Sequence, residues 1–467
     1  MTTAMPSTAP NIRHEARTLL KLTFPILATQ LAQIGMGTID TIMSGYISTR
    51  DLAAVAIGTS LWLPIWLFLA GILVALSPLV SGLAAQTNNP EQCPKLPPLL
   101  GAALWVGIIT ALLSAFLLAS ASILLPMLIQ DEATASIAAD YLTAIAVGFP
   151  AAGVFLALRF YAEAMNQATH VTRIMLSGLA LNIPANGLFV YGWFGLPELG
   201  GVGCGIGSSL IFLYMAIAMM IDTRRFRLPE RIALIQLACS PDWQHVRKLF
   251  QIGVPIGMAI FFEVSLFSVV ALFLTGFGPA VVAGHQVAIN VSSMTFMVPL
   301  SLGMALTVRV GHFLGTGNIT AARQVAWLGV RLNLAIGLLN ATLMISLASH
   351  IASLYSPDPA VITLGASLLL YAAVFQLSDA TQVSCAGALR GFQDTFAVMI
   401  VTLIAYWGLG LGSGYWLAFY GLSEFGVEPM GAEGLWTGLI VGLSGAAIAL
   451  IVRLQRISQR SSAHMTH

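Results

Sequence analysis

Residues 22–45, LTFPILATQLAQIGMGTIDTIMSG, are answered 230 positions later by residues 252–276, IGVPIGMAIFFEVSLFSVVALFLTG, with Pro25 over Pro255. Both runs are longer than the roughly 20 apolar residues a helix needs to cross about 30 Å of hydrocarbon. The echo continues outward. VAIGTS at 55–60 matches VAINVS at 287–292, and Gly71 matches Gly303, at an offset of 232. GGVGCGIG at 200–207 resembles GAEGLWTG at 431–438, with Gly203 over Gly434 and Gly207 over Gly438. A steady offset along most of the chain indicates two homologous halves.

Composition sets the medium in which those halves fold. The 467 residues are 57% hydrophobic and 8% charged, with a mean hydropathy of +0.87, where a soluble domain is about 25% charged. A water-soluble globule is therefore excluded. Segmentation at polar, Gly and Pro clusters predicts twelve spans: 19–46, 52–84, 98–127, 133–157, 169–192, 201–222, 247–275, 281–312, 322–349, 360–386, 395–420 and 432–454. The even gaps and both tails carry the basic residues, among them Lys95, Arg159, Arg173, Arg247, Lys248, Arg309, Arg323 and Arg390. The odd gaps carry Asp131, Glu132, Glu198, Asp358, Glu424, Glu428 and Glu433, with Arg50 as their one cation, expected to pair with its neighbour Asp51. Basic loops stay in the cytoplasm, so both termini of the multi-pass protein are expected there.

The expected organisation is an all-α polytopic membrane protein with a cytoplasmic tail at 1–18, an N-lobe at 19–222, a cytoplasmic linker at 223–246, a C-lobe at 247–454 and a second tail at 455–467. Six spans per half is an even number, so both halves enter from the same side and are related by an axis along the membrane normal, leaving a central cleft. The linker reads as an amphipathic helix. Repeats of this kind are common among transporters. The net charge of +1 is segregated by loop and offers nothing to nucleic acid. Cys93, Cys204, Cys239 and Cys385 show neither zinc nor disulfide spacing, and no signal-peptide cleavage site follows the basic first segment.

Three carboxylates lie inside the spans: Asp40 in GMGTIDTIMSG, Glu263 in IFFEVSLF and Asp379 in FQLSDATQ. An ionised carboxylate at the bilayer centre costs at least about 2.5–3.5 kcal/mol, so it persists when protonated, paired or facing water. No Lys or Arg occupies the middle of any span, so these acids have no evident internal salt-bridge partner, which makes them candidates for a proton, a metal cation or a cationic substrate. Asn182 and Asn186 in LNIPANGLF share one helical face at i and i+4. Their amides either complete an oxygen cage with Asp40, hydrogen-bond its protonated form, or serve carbonyls freed by Pro184. His285 and His312 lack a second nearby ligand for a metal site. Gly203, Gly207, Gly434, Gly438 and Gly442 form small-residue ridges for close helix contact rather than a phosphate loop. Phe296 and Phe375 could add cation–π contacts if an organic cation binds.

From residue 17 to 457 the chain resembles the multidrug and toxic compound extrusion (MATE) family, of the NorM type. The resemblance is carried by TFPILATQLAQIGMGTIDTIMSG, LNIPANGLFVYGWFGLPELGGVGCG, FFEVSLFSVVAL, VAGHQVAINVSSMTFMVPLSLG and SDATQVSCAGALRGFQD. It implies a secondary antiporter, not an enzyme, that exports cationic amphipathic drugs and dyes in exchange for protons, sodium ions or both. It implies no cofactor, small organic cations and membrane lipids as partners, and a monomer. The family's essential acids fall on Asp40, Glu263 and Asp379, and its span 5 asparagines on Asn182 and Asn186. NorM-type members often carry a tyrosine four residues before the span 10 aspartate. Phe375 stands there, which argues against a sodium site built on that hydroxyl. A lipid-linked precursor flippase of the same superfamily is the alternative, though such proteins need a basic cleft.

Overall fold

The computed structural model describes residues 11–87, 93–223, 242–421 and 428–463. Most of the expected linker helix, Cys239, Glu424 and the ends of both tails lie outside them. Among the described residues no strand occurs, and twelve helices are long and apolar enough to cross a membrane. They are α1 (Ile12–Gly45), α2 (Thr49–Ala84), α3 (Leu96–Met127), α4 (Glu132–Ala164), α5 (Ala168–Val190), α6 (Gly201–Asp222), α7 (Trp243–Phe277), α8 (Pro279–Gly315), α9 (Ile319–Tyr355), α10 (Pro359–Gly391), α11 (Thr395–Phe419) and α12 (Ala432–Gln459). The protein is a multi-pass membrane protein. At 1.5 Å per residue the 34 residues of α1 reach roughly 50 Å, well beyond the hydrocarbon.

Local chemistry starts these helices where hydropathy alone leaves the edge vague. Ser48, Asp131, Asn318 and Asp358 precede α2, α4, α9 and α10, and each accepts a hydrogen bond from a backbone N–H of the first turn. Such caps satisfy donors that have no partner inside the helix. Proline opens α8 and α10, where its missing N–H costs nothing.

The chain divides into two compact units, one of residues 24–257 and the other of residues up to 23 together with 258 onward, so both divisions fall inside helices, α1 and α7. In the first unit α4 lies against α2, α3 and α6, and α5 against α6. In the second, α10 lies against α8, α9 and α12, and α11 against α12. Helix for helix, the pattern is the same at the repeat offset.

The loops repeat as faithfully. Gly200 and Gly431 adopt φ of 55° and 57°. Each donates its N–H back to the preceding helix, to Val190 and Ala418, while the residue before it bonds Phe189 or Leu417. Asn166 and Gln393, two residues past the ends of α4 and α10, share φ of 60° and 61°. In both units small residues let backbones meet. Gly203 faces the backbone of Phe189, and Gly438 faces Gly410 and Gly414, contacts that any side chain would prevent. Around these cores stand exposed apolar side chains such as Leu112, Leu113, Phe116 and Ile123 on α3, the face a lipid-embedded helix presents.

Two cations differ from the sequence reading. Arg50, expected to pair with its neighbour Asp51, instead lies 3.6 Å from Asp131. Asp51 accepts from the N–H of Gly201 at 2.6 Å and from the Ser48 hydroxyl at 2.5 Å. The Thr134 hydroxyl holds Asp131 below the usual carboxylate range, with Arg50 adding a smaller pull. Because the Arg50 pair is exposed, Arg50→Ala should leave accumulation in the membrane unchanged, as read by quantified membrane level. Arg331, which the alternating-gap pattern does not cover, stands on an exposed face of α9.

Candidate functional site

In the first unit Asp40 is carried by the C-terminal half of α1 and is 5% exposed. Asn182 Nδ2 donates to its Oδ1 at 3.1 Å, and Asn186 Nδ2 donates to the same oxygen at 2.6 Å. Ser208 Oγ donates to Oδ2 at 2.8 Å. Asn182 and Asn186 sit one helical turn apart on α5 and are themselves buried. Of the three readings left open by the sequence, service to carbonyls freed by Pro184 is not what the amides do: both point their N–H groups at Asp40. Among the described residues Asp40 has no ion-pair partner, and its cradle is made of uncharged groups.

The approach of α5 to α6 sets this geometry. A Cβ on Gly207 would run into Asn186 Oδ1, so glycine is what allows the amide to lie between Asp40 and α6. Asn186 Oδ1 is buried and has no hydrogen-bond donor among the described residues. Were the amides turned about χ2, their two Oδ1 atoms would join the Asp40 carboxylate and Ser208 Oγ as an all-oxygen set. That chemistry suits a hard cation such as sodium, and the observed orientation suits a carboxyl group that gains and loses a proton.

The second unit assembles a different site from different positions. Glu263 on α7 is half-buried, and Asp379 on α10 is 3% exposed. Their charges act on one another. Tyr406 on α11 is fully buried and feels both. It lies in a π-helical stretch, Ile404–Leu411, that interrupts α11, and such wide turns recur at functional sites. The next residue, Trp407, donates its Nε1 to the backbone oxygen of Phe262 at 3.1 Å, holding α11 beside Glu263. Asp379 Oδ1 and the Tyr406 hydroxyl are buried without a hydrogen-bond partner among the described residues. Among the described residues neither Glu263 nor Asp379 has an ion-pair partner, and Arg390, in the last turn of α10, is buried.

Phe375 is buried in an aromatic cluster, edge-on to Phe267 at 5.9 Å and to Trp436 at 6.2 Å between ring centroids. Phe296 is half-buried on α8. The two sites are not copies. At the repeat offset of 231, Glu163 falls on Asp394 and Arg159 on Arg390, whereas Asp379 falls on Gly148 and Ser208 on Leu439. Sequence reasoning passed over Ser208, Tyr406 and the burial of Arg390. Ser208 directly follows the small-residue ridge ending at Gly207, and Arg390 shares the triplet Ala-Leu-Arg with Arg159. Tyr406 carried no sequence signal.

The frame around these sites has known relatives. A family model, MatE, matches the chain twice, over residues 25–188 and 255–416. The chain belongs to the MatE family. The two matches begin on Pro25 and Pro255, the pair that first marked the repeat. This MatE chain is 44% identical over 451 residues to the multidrug resistance protein PmpM of Pseudomonas aeruginosa, covering 96% of this chain and 93% of that one. It is 41% identical over 452 residues to a probable multidrug resistance protein NorM of Shewanella oneidensis, covering 97% of each. Among solved structures it aligns with the MATE transporter NorM-NG in complex with a dye and a monobody at a TM-score of 0.79 and 31% identity, covering 95% of each chain. The eukaryotic MATE transporter AtDTX14 shares the fold at a TM-score of 0.82 and 20% identity, with 97% of this chain and 99% of that one covered. These relatives are named as resistance proteins and transporters, not as enzymes.

Proposed function

We propose that this protein is a multidrug efflux antiporter that exports cationic amphipathic drugs and dyes in exchange for protons, sodium ions or both, by alternating access. The observation that carries the reading is the Asp40 cradle: a buried carboxylate held by Asn182, Asn186 and Ser208, with no ion-pair partner among the described residues. A negative group kept in the membrane without a fixed counter-charge is a group that takes a mobile one. The MatE relatives named for multidrug resistance, and the relative solved in complex with a dye, support organic compounds as the cargo.

In this reading Asp40, Asn182, Asn186 and Ser208 bind the driving ion. Glu263 and Asp379 bind an ion or the cationic substrate, with Phe296 and Phe375 as aromatic neighbours. The halves 19–222 and 247–454 are the moving lobes, both termini lie in the cytoplasm, and a monomer in the inner membrane is the working unit. Coupling requires that ion and drug each have different affinities for the two states, since equal affinity shifts no population however tight the binding. A lipid-linked precursor flippase would need a basic site for pyrophosphate, and the acids at Asp40, Glu263 and Asp379 oppose it.

Expression in a strain lacking its own efflux pumps tests the reading. The protein should lower accumulation of a cationic dye and raise resistance to cationic drugs, and unchanged accumulation at normal membrane level would refute it. In the same assay Gly207→Ala should cut efflux several-fold. The added methyl displaces Asn186 from Asp40, an overpacking cost of about 1–3 kcal/mol. Full efflux by that variant would show that the amide's position does not matter.

A further inference from the structure

Asp51, at the start of α2, is 8% exposed, and both of its oxygens are engaged. Oδ1 accepts at 2.6 Å from the N–H of Gly201, the residue on which α6 begins, and Oδ2 accepts from the Ser48 hydroxyl at 2.5 Å. Glycine makes the approach possible, since a Cβ on Gly200 would run into Asp51 Oδ1. Further along α6 two residues meet Asp40. Cys204 Sγ donates to its backbone oxygen at 3.5 Å, and Ser208 Oγ donates to its Oδ2 at 2.8 Å. Gly201, Cys204 and Ser208 stand at i, i+3 and i+7, so one stripe of α6, roughly 10 Å long, runs from Asp51 to Asp40.

Something has to set the height of that stripe. Where α6 meets its neighbours it is rich in glycine: Gly203 lies against the backbone of Phe189, Gly207 against Asn186, and Gly205 against the backbone oxygen of Tyr141. Such a surface brings backbones close but offers no side-chain knob to stop one helix sliding along another. The second half shows that the acid is not needed for the turn that precedes the helix. At the offset of 232, Asp51 falls on Ala283 and Ser48 on Ala280, yet Gly431 makes the same turn as Gly200, with φ of 57° against 55°. There the counterpart of Ser208 is Leu439. The half without the anchoring acid is the half with no hydroxyl to place.

We infer that Asp51 is a positioning residue for the Asp40 site: it fixes the height of α6 and so places the Ser208 hydroxyl on the Asp40 carboxylate. The inference rests on the proposed export reading, in which Asp40 takes the driving ion, and adds what holds that site in shape. Without the bond at Gly201 nothing polar pins the start of α6. A slip of about 1 Å along the helix axis is then enough to carry Ser208 Oγ beyond hydrogen-bond reach of Asp40.

The test is a pH titration of the purified full-length protein in nanodiscs by infrared difference spectroscopy, following the protonated-carboxyl band that Asp40→Asn lacks. A hydroxyl that donates to a carboxylate favours its charged form, so its loss makes the group keep its proton to higher pH. Ser208→Ala and Asp51→Ala should each raise the midpoint of the band by about one pH unit, tenfold in proton affinity. The double variant should go no further than Ser208→Ala alone. Asp51→Asn keeps an oxygen for the Gly201 N–H and should titrate like wild type. A role through charge alone predicts the opposite sign, because removing a negative neighbour lowers the midpoint, in Asp51→Asn and Asp51→Ala alike. Asp51→Glu keeps the charge but adds a methylene between α2 and α6; it should raise the midpoint too, and it carries the test if Asp51→Ala does not accumulate. An unchanged or lowered midpoint in the variants that accumulate overturns the inference while leaving export standing. Wild-type vesicles that show no efflux of a cationic dye would remove the export reading whatever the midpoints.

Discussion

Asp40→Asn is expected to reduce dye efflux to background while the protein stays at its normal level in the membrane. The substitution hardly changes volume, so α1, α5 and α6 keep their contacts. It does change what Asn182, Asn186 and Ser208 meet. All three present donors to Asp40; a carboxamide oxygen still accepts from the two amides, but its N–H2 meets Ser208 Oγ, whose hydroxyl must turn away and give up its acceptor in a buried setting. A mispaired buried donor alone costs about 1–3 kcal/mol, on the order of tenfold or more in any state that depends on it. Loss of the ionisable group then removes the means of coupling to an ion gradient. Resistance assays paired with quantified membrane levels read the result, and undiminished efflux by Asp40→Asn would sink the assignment.

The second large effect is expected in the other unit. Glu263→Gln and Asp379→Asn should each abolish most export of a cationic dye, and the double variant should be no worse than the more severe single one. The reason is that the two carboxylates act on one another and share Tyr406 as a neighbour. Groups that work as a unit give non-additive losses, with coupling of about 0.5–3 kcal/mol in such networks. Initial rates for the two single variants and the double variant decide it. Losses that multiply would mean two independent sites rather than one.

Much of this was legible before any coordinates. Periodic hydropathy gave the twelve spans because a bilayer demands long apolar helices, and the Pro25–Pro255 offset gave the repeat because equivalent backbones reuse equivalent residues. Asp40 stood out because an acid in a span is costly, and Asn182 and Asn186 because i and i+4 share a face. What stayed hidden depends on helix-to-helix register. Ser208 reaches Asp40 from α6, 168 positions away along the chain, and no local pattern fixes that rotation. Arg390 was assigned to a cytoplasmic gap because a cation near a helix end ordinarily faces water. Its burial follows from α10 lying against α8, α9 and α12. Arg50 misled for the opposite reason: adjacency in sequence suggested Asp51, but the helix start turns Asp51 towards Gly201 and leaves Arg50 to Asp131.

On the proposed reading an ion gradient acting through Asp40 drives a cationic compound out. Purified protein reconstituted into vesicles, loaded with a cationic dye and subjected separately to a proton gradient and a sodium gradient, decides it. Gradient-dependent dye movement is expected of the wild type under at least one ion, and none of Asp40→Asn under either. Dye movement that persists at the same rate with both gradients collapsed, or an Asp40→Asn variant that keeps the wild-type rate, would contradict it.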